Sequence, residues 1–237
     1  MKSALQVIAQ TEQWVALYKP AGVSFHSESG PGMVVQAEQQ LGLKLYPVHR
    51  LDKVTSGLLL LATSSVAAAE LSALFASHQI EKYYLALSAN KPKSKQGWVK
   101  GDMVPARRGA WKLQHSQQQP AVSYFISQGF VELPLRAFLI KPWTGKTHQI
   151  RVALKSIGAA IIGDELYGSA AADRVYLHAY ALCFVWQGQR IELCCWPESG
   201  VEFGRLQSQF DTAWSSPWQL DWPEYRKPLA LTPNINS

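Results

Sequence analysis

The chain reads as an α+β domain, and three observations carry that reading. Apolar and polar residues alternate over 83–87, 121–126 and 131–140, the period of half-buried strands. Apolar residues at helical spacing occur in separate stretches, 66–75 and 150–157. Gly188-Gln189 lies between two strand-like runs from Phe184 to Cys195 and predicts a hairpin. Hairpin-joined strands with helices set apart from them define the α+β class.

Taken in order, Val7 and the run Trp14 to Lys19 predict an opening strand, followed by a Gly/Ser-rich loop over 22–32 and a short helix over 34–41. Leu58 to Leu61 is short, continuous and preceded by Gly57, as expected of a strand covered on both faces. Ser64 or Ser65 caps the next helix, whose apolar face carries Val66, Ala67, Leu71, Leu74 and Phe75 and which ends near His78. From Asn90 to Gln119 the chain is polar, with Lys91, Lys93, Lys95, Lys100, Arg107, Arg108 and Lys112. It is expected either as a solvated loop or as a basic arm that meets a polyanion. Trp98 and Trp111 within it either anchor it or stack on bases. Pro134 makes the strand over 131–140 an edge or bulged one. Thr147 is the expected cap of a helix over 148–157, ended by Gly158, with Ile150, Ala153, Leu154 and Ile157 inward and Arg151 just off that stripe. Beyond residue 203, Trp214, Trp218, Trp222 and Tyr225 recur at helical spacing, yet Pro217 and Pro223 forbid one continuous helix. The expected division is a domain over 1–203 and a Trp-rich extension over 204–237 packed on it.

Composition narrows the class. There are 23 Lys and Arg against 17 Asp and Glu, a net +6 and a pI near 9.2, which suits a polyanionic partner. Cys183, Cys194 and Cys195 have no CxxC spacing and are expected as reduced thiols. Residues 1–10 carry no leader-like pattern and no stretch has the ~20 apolar residues of a membrane span. A cytoplasmic, monomeric protein with no membrane association is the expectation. The sequence supplies no HExxH, Cys/His cluster, GxxxxGK[ST] or GxGxxG, so neither a metal nor another cofactor is expected.

The run His49-Arg50-Leu51-Asp52-Lys53-Val54-Thr55-Ser56-Gly57 sets a carboxylate between two cations on the loop entering the buried strand. Arg50 and Lys53 favour the ionised form of Asp52, and a loop leading into a rigid core can fix its position. A lone Arg-x-Asp would read as a surface ion pair. The full string resembles the HRLDKxTSG active-site motif of the RluA branch of pseudouridine synthases. The resemblance extends to Lys19-Pro20-Ala21-Gly22 (KPxG), Lys82 to Leu87 (KxYxAL), Ala121 to Phe125, Thr144 to Arg151 (TGRxHQIR), Ile162 to Gly168 (IxGDxxYG) and Leu177-His178-Ala179 (LHA). These stand in the family's order over about residues 10–200.

The resemblance implies a mixed, mainly antiparallel central sheet with flanking helices. It implies an RNA uridine isomerase without a cofactor, acting on ribosomal or transfer RNA. Asp52 is then the nucleophile, Tyr84 stacks on the target uracil and relays its C5 proton, and Arg151 pairs with the aspartate. Arg50, Lys53, Lys82, Lys146 and His148 contact RNA, with Arg50 filling the space of an extruded base. His49 braces the loop. Strand alternation turns Tyr83 away from Tyr84, into packing. Two positions depart from the pattern: Lys146 stands where relatives carry Arg, and Ala153 where they carry His. The KPxG-like segment begins before residue 20, leaving no room ahead of it for the basic S4 module of some relatives. Two other readings stand beside this one. A catalytically idle RNA-binding protein of the same fold has no need of a carboxylate facing phosphate, and a glycoside hydrolase needs a second positioned acid.

Overall fold

A computed structural model describes residues 5–27, 30–130, 133–210 and 212–226. The elements in chain order are β1 (Val7–Gln10), β2 (Trp14–Lys19), α1 (Met33–Leu41), β3 (Tyr46–Pro47), β4 (Ser56–Ala62), α2 (Ser65–Ala76) and β5 (Glu81–Ser88). They continue with β6 (Gln96–Pro105), β7 (Trp111–Gln114), β8 (Ala121–Gly129), β9 (Arg136–Pro142), α3 (Gln149–Ser156), β10 (Leu177–Trp186), β11 (Gln189–Cys194) and α4 (Val201–Leu206). One sheet runs β1-β2-β4-β10-β5-β9-β8-β6-β7, with β3 added on β4 and β11 on β10. Among the described strands only β4 and β10 pair in parallel; the sheet is mixed and mainly antiparallel, and the fold is α+β as expected.

β4 is covered on both faces. Leu58 and Leu60 meet the side that α2 covers with Ala67 and Leu71, while Leu59 and Leu61 meet Met33 and Ala37 of α1, and all four leucines are fully buried. Their burial contributes roughly 1.5–3 kcal/mol each. Gly57 opens the strand at φ 114°, where a Cβ would lie 2.1 Å from the Ala179 carbonyl oxygen, so the parallel pairing with β10 needs glycine there. Ser64 caps α2, accepting from Ala67 N–H at 3.2 Å.

Several sequence expectations are corrected. The 90–119 connection holds two strands, β6 and β7; Trp98, Val99, Val104 and Leu113 supply the strand signal, which Gly97, Gly101 and Asp102 interrupt. The strand expected over 131–140 begins only at Arg136, after Pro134, and residues 131 and 132 lie outside the described set. Thr147 is exposed and does not cap α3. The helix starts from His148, held at φ 57°. Val66 is 68% exposed, off the inner face of α2. The β10–β11 turn is Gln187-Gly188, one residue earlier than expected, with both φ values positive as a type I′ turn requires.

After α4 the chain makes 3₁₀ turns over Gln207–Gln209, Thr212–Ser215 and Pro217–Gln219. Trp214 is buried in the core, Trp222 sits against Tyr83 (5.6 Å) and Tyr124 (6.0 Å), and Tyr225 lies 5.8 Å from Trp98. Residues 227–237 lie outside the described set. The three cysteines are free thiols, and no described helix is long and apolar enough to cross a membrane.

His178 on β10 is fully buried. Its Nε2 donates to the Cys195 carbonyl (2.9 Å), leaving Nδ1 to accept from the Ser56 hydroxyl (2.7 Å). Burial pushes it from 6.5 down to about 3, and burial does the same to His49. The unfolded chain takes up these protons near 6.5 while the folded chain resists them. Their contribution to stability is therefore complete above pH 6.5 and lost as the pH falls toward 3. The thermal midpoint should drop from about pH 7 to about pH 5, and drop less in His178→Gln. An equal drop in that variant would assign the effect to other groups.

Candidate active site

Asp52 stands on the loop between β3 and β4, its side chain 23% exposed. The loop is tied from below by Lys19, the last residue of β2. Its fully buried ammonium donates to the carbonyls of Pro20 (3.0 Å), Lys53 (3.1 Å) and Thr55 (2.7 Å). Burial pulls Lys19 from 10.5 down to about 7; attraction to Asp52 works against this, and Arg174 adds to it. Lys19→Met should take a donor from three carbonyls, of which that of Lys53 keeps Gly22 N–H (2.8 Å), cost about 2–3 kcal/mol in chemical denaturation and loosen the Asp52 loop. Wild-type stability in that variant would show that the ammonium holds nothing. His49 braces the same loop as expected: its Nε2 accepts from Leu60 N–H (2.8 Å) and its ring stacks on Phe75 (4.6 Å).

Arg151, one turn inside α3, is 5% exposed. Its Nη1 lies 3.7 Å from Asp52 Oδ2, while Nε and Nη2 donate to the two oxygens of Asp164 at 2.7 and 2.8 Å. Burial disfavours its charge, but Asp164, and then Asp52, outweigh that and raise its pKa. The Tyr167 ring lies under the guanidinium at 4.9 Å. His148 Nε2 is 4.0 Å from Asp52 Oδ2, and its Nδ1 is 2.9 Å from the Tyr167 hydroxyl. That hydroxyl accepts from Trp111 N–H at 3.0 Å, so its hydrogen is free to meet Nδ1 and leave an Nε2–H facing Asp52. Burial and then Arg151 lower the pKa of His148 below 6.5, against Asp52 and Asp164, and keep it neutral near pH 7.

Gln149 organises the loop ahead of α3. Its Oε1 accepts from the Thr144 hydroxyl (2.7 Å) and Lys146 N–H (3.0 Å), and its Nε2 donates to the Val122 carbonyl (3.0 Å) and Ser123 hydroxyl (2.9 Å) on β8. Tyr84 and Lys82 share the cleft face of β5, whereas Tyr83 points to the other face and donates to Glu81 at 2.6 Å. Burial, and then the charge of Asp52, raise the Tyr84 phenol, so it stays protonated at neutral pH. Lys82 donates to the Thr144 carbonyl at 3.3 Å, and burial lowers it to about 8.

These groups line one cleft of about 400 Å³, in the range of sites that enclose a small ligand. Asp52, Tyr84, Arg151, Arg50, Lys82, Lys146 and His148 all face it. Lys53 does not: its side chain is exposed outside the lining, and its carbonyl serves the Lys19 clamp. Sequence alone assigns no role to Lys19, Gln149, Asp164 or Tyr167. Each lies inside a quoted motif, and that was their only signal.

The cleft thus gathers one carboxylate, several cations and an aromatic ring, a set that can hold an anionic ligand. The family model described as RNA pseudouridylate synthase matches residues 13–156. The chain is 47% identical over 200 residues to a Haemophilus influenzae protein named "Uncharacterized RNA pseudouridine synthase", covering 83% of this chain and 89% of that one. It is 30% identical to tRNA pseudouridine synthase C of Vibrio cholerae, covering 76% and 85%. Against ribosomal large subunit pseudouridine synthase C of Rickettsia bellii the identity is 32%, covering 73% and 61%. Human RNA Pseudouridylate Synthase Domain Containing 1 shares the fold, with a TM-score of 0.70, 22% identity and 81% and 82% of the two chains covered. The chain belongs to the RNA pseudouridylate synthase family; it is an RNA pseudouridine synthase, an isomerase.

Proposed function

We propose that this enzyme isomerises one uridine of a structured ribosomal or transfer RNA, with Asp52 as nucleophile and the target nucleotide flipped into the cleft. The observation that carries this reading is Asp52 held beside Arg151, with Tyr84 and the basic groups turned into the same cleft. The reaction breaks the N1–C1′ bond, turns the uracil, forms a C5–C1′ bond, and moves a proton off C5 while N1 regains one. Asp52 serves as an ionised carboxylate, whether it attacks C1′, attacks C6 or drives elimination through a glycal. Tyr84 offers its face to the uracil. As a protonated phenol it hydrogen-bonds and is not a phenolate base.

Flipping costs a few kcal/mol of lost stacking. Exposed Arg50 at the rim fills the vacated space, and Lys82, Lys146 and His148 meet the backbone. Lys146, where relatives carry Arg, grips phosphate as a point charge without bidentate geometry. We take the enzyme to act as a cytoplasmic monomer, with 1–203 as catalytic domain and 204–237 as a C-terminal extension. The names of relatives that act on tRNA and on the ribosomal large subunit support both RNA classes. Mapping pseudouridine across total RNA from cells with and without this gene tests the reading. One position should vanish with the gene, and an unchanged map would contradict it.

A further inference from the structure

We propose that Asp164 is a positioning residue for the nucleophile: by holding Nε and Nη2 of Arg151 it fixes the guanidinium plane and presents Nη1 to one oxygen of Asp52. This rests on Asp52 being the nucleophile.

The geometry divides one cation unequally between two carboxylates. Asp164 is 1% exposed and holds Nε and Nη2 at 2.7 and 2.8 Å, the parallel two-bond arrangement that fixes a guanidinium plane. Asp52, the more exposed carboxylate, is left with Nη1 at 3.7 Å. A bidentate pair with Arg151 would occupy both Asp52 oxygens and would have to be broken before either attacked. With its plane fixed by Asp164, Arg151 approaches Asp52 at Oδ2 alone and at 3.7 Å, so Asp52 feels the positive charge without a bidentate pair to break. Two carboxylates on one guanidinium also leave this trio one negative charge in excess, so Asp52 is oriented without being neutralised.

Asp164 does not line the cleft, and its carboxylate hydrogen-bonds Arg151, the group through which it acts on Asp52. The backbone is built to hold it there. Gly163 sits at φ 78°, where a Cβ would lie 2.0 Å from the Arg174 carbonyl oxygen, and only glycine makes that approach. The Asp164 carbonyl accepts from Tyr167 N–H (3.0 Å) and Ser169 N–H (3.1 Å), so the turn that orients this carboxylate also brings Tyr167 under the guanidinium.

The test uses purified full-length wild type, Asp52→Asn, Asp164→Asn, Asp164→Glu, Arg151→Lys and the Asp164→Asn/Arg151→Lys double variant, with RNA purified from cells lacking this gene as substrate. Asp164→Asn should lower kcat about 100-fold, as expected when a catalytic group is misplaced by about 1 Å, with KM within about twofold. The double variant should be no slower than the slower single, because both changes act on one guanidinium. Asp164→Glu should fall between wild type and Asp164→Asn, since its carboxylate still takes the fork from a displaced position. Should Asp164→Asn not fold, Asp164→Glu decides alone: a lowered kcat with unchanged KM supports the proposal, and wild-type kcat overturns it. Losses that multiply in the double variant, or an Asp164→Asn kcat within about twofold of wild type, also overturn it. Asp52→Asn run alongside separates the two claims. A fully active Asp52→Asn sinks the nucleophile reading itself, whereas an inactive one beside an unimpaired Asp164→Asn sinks only the role of Asp164.

Discussion

Asp52→Asn should abolish turnover, on the order of 10⁴-fold or more, because the amide keeps the size of the side chain but removes the carboxylate proposed as nucleophile. RNA affinity should hold or rise slightly. The lost negative charge opposes the binding of a polyanion in the cleft, and the cations at Arg50, Lys82 and Lys146 are untouched. The loop should survive, since it is fixed by Lys19 on the Lys53 and Thr55 carbonyls and by Thr55 N–H on the Asp52 carbonyl (3.0 Å), none of which uses the carboxylate. Rate and binding measured together on RNA from cells lacking the gene check this. Turnover near wild type would refute the assignment, and a parallel loss of binding would show a damaged cleft instead.

Tyr84 carries the second large effect. Tyr84→Ala removes the stacking face and should cost about 1–3 kcal/mol of base stacking, seen in binding as well as rate. Tyr84→Phe keeps the ring and should bind RNA as wild type does. Its rate loss then isolates whatever the hydroxyl contributes, and the raised phenol pKa argues for a hydrogen bond over proton abstraction by a phenolate. Single-turnover rates of the three forms check it. Equal rates in all of them would remove Tyr84 from the site.

How much could be read in advance depended on whether a residue's role was local. Leu58 to Leu61 announced a doubly covered strand because a short unbroken aliphatic run has few other uses, and both faces are indeed packed. Alternation separates Tyr83 from Tyr84, and the family-like segments together, 49–57, 82–87 and 144–151, hold most of the cleft lining. β6 and β7 are hard to read in sequence because Gly97, Gly101 and Asp102 interrupt the alternation of β6 and no residue of β7 is fully buried. Thr147 looked like a cap by type. The loop is instead fixed by the Gln149 side chain, which reaches back over Thr144 and Lys146 and across to β8, contacts that no spacing encodes. Asp164 is silent in sequence for the same reason: a carboxylate after a turn glycine reads as turn chemistry until the tertiary fold sets Arg151 beside it.

The central claim is that a uridine swung out of its RNA meets the Asp52 carboxylate in this cleft. A structure of the enzyme trapped on its mapped RNA tests that most directly. The target nucleotide should lie extruded against the Tyr84 ring, with an Asp52 oxygen about 3.5 Å or less from its reacting carbon and Arg151 still held by Asp164. A target base still stacked in the RNA, or an extruded one lodged away from Asp52, would contradict it.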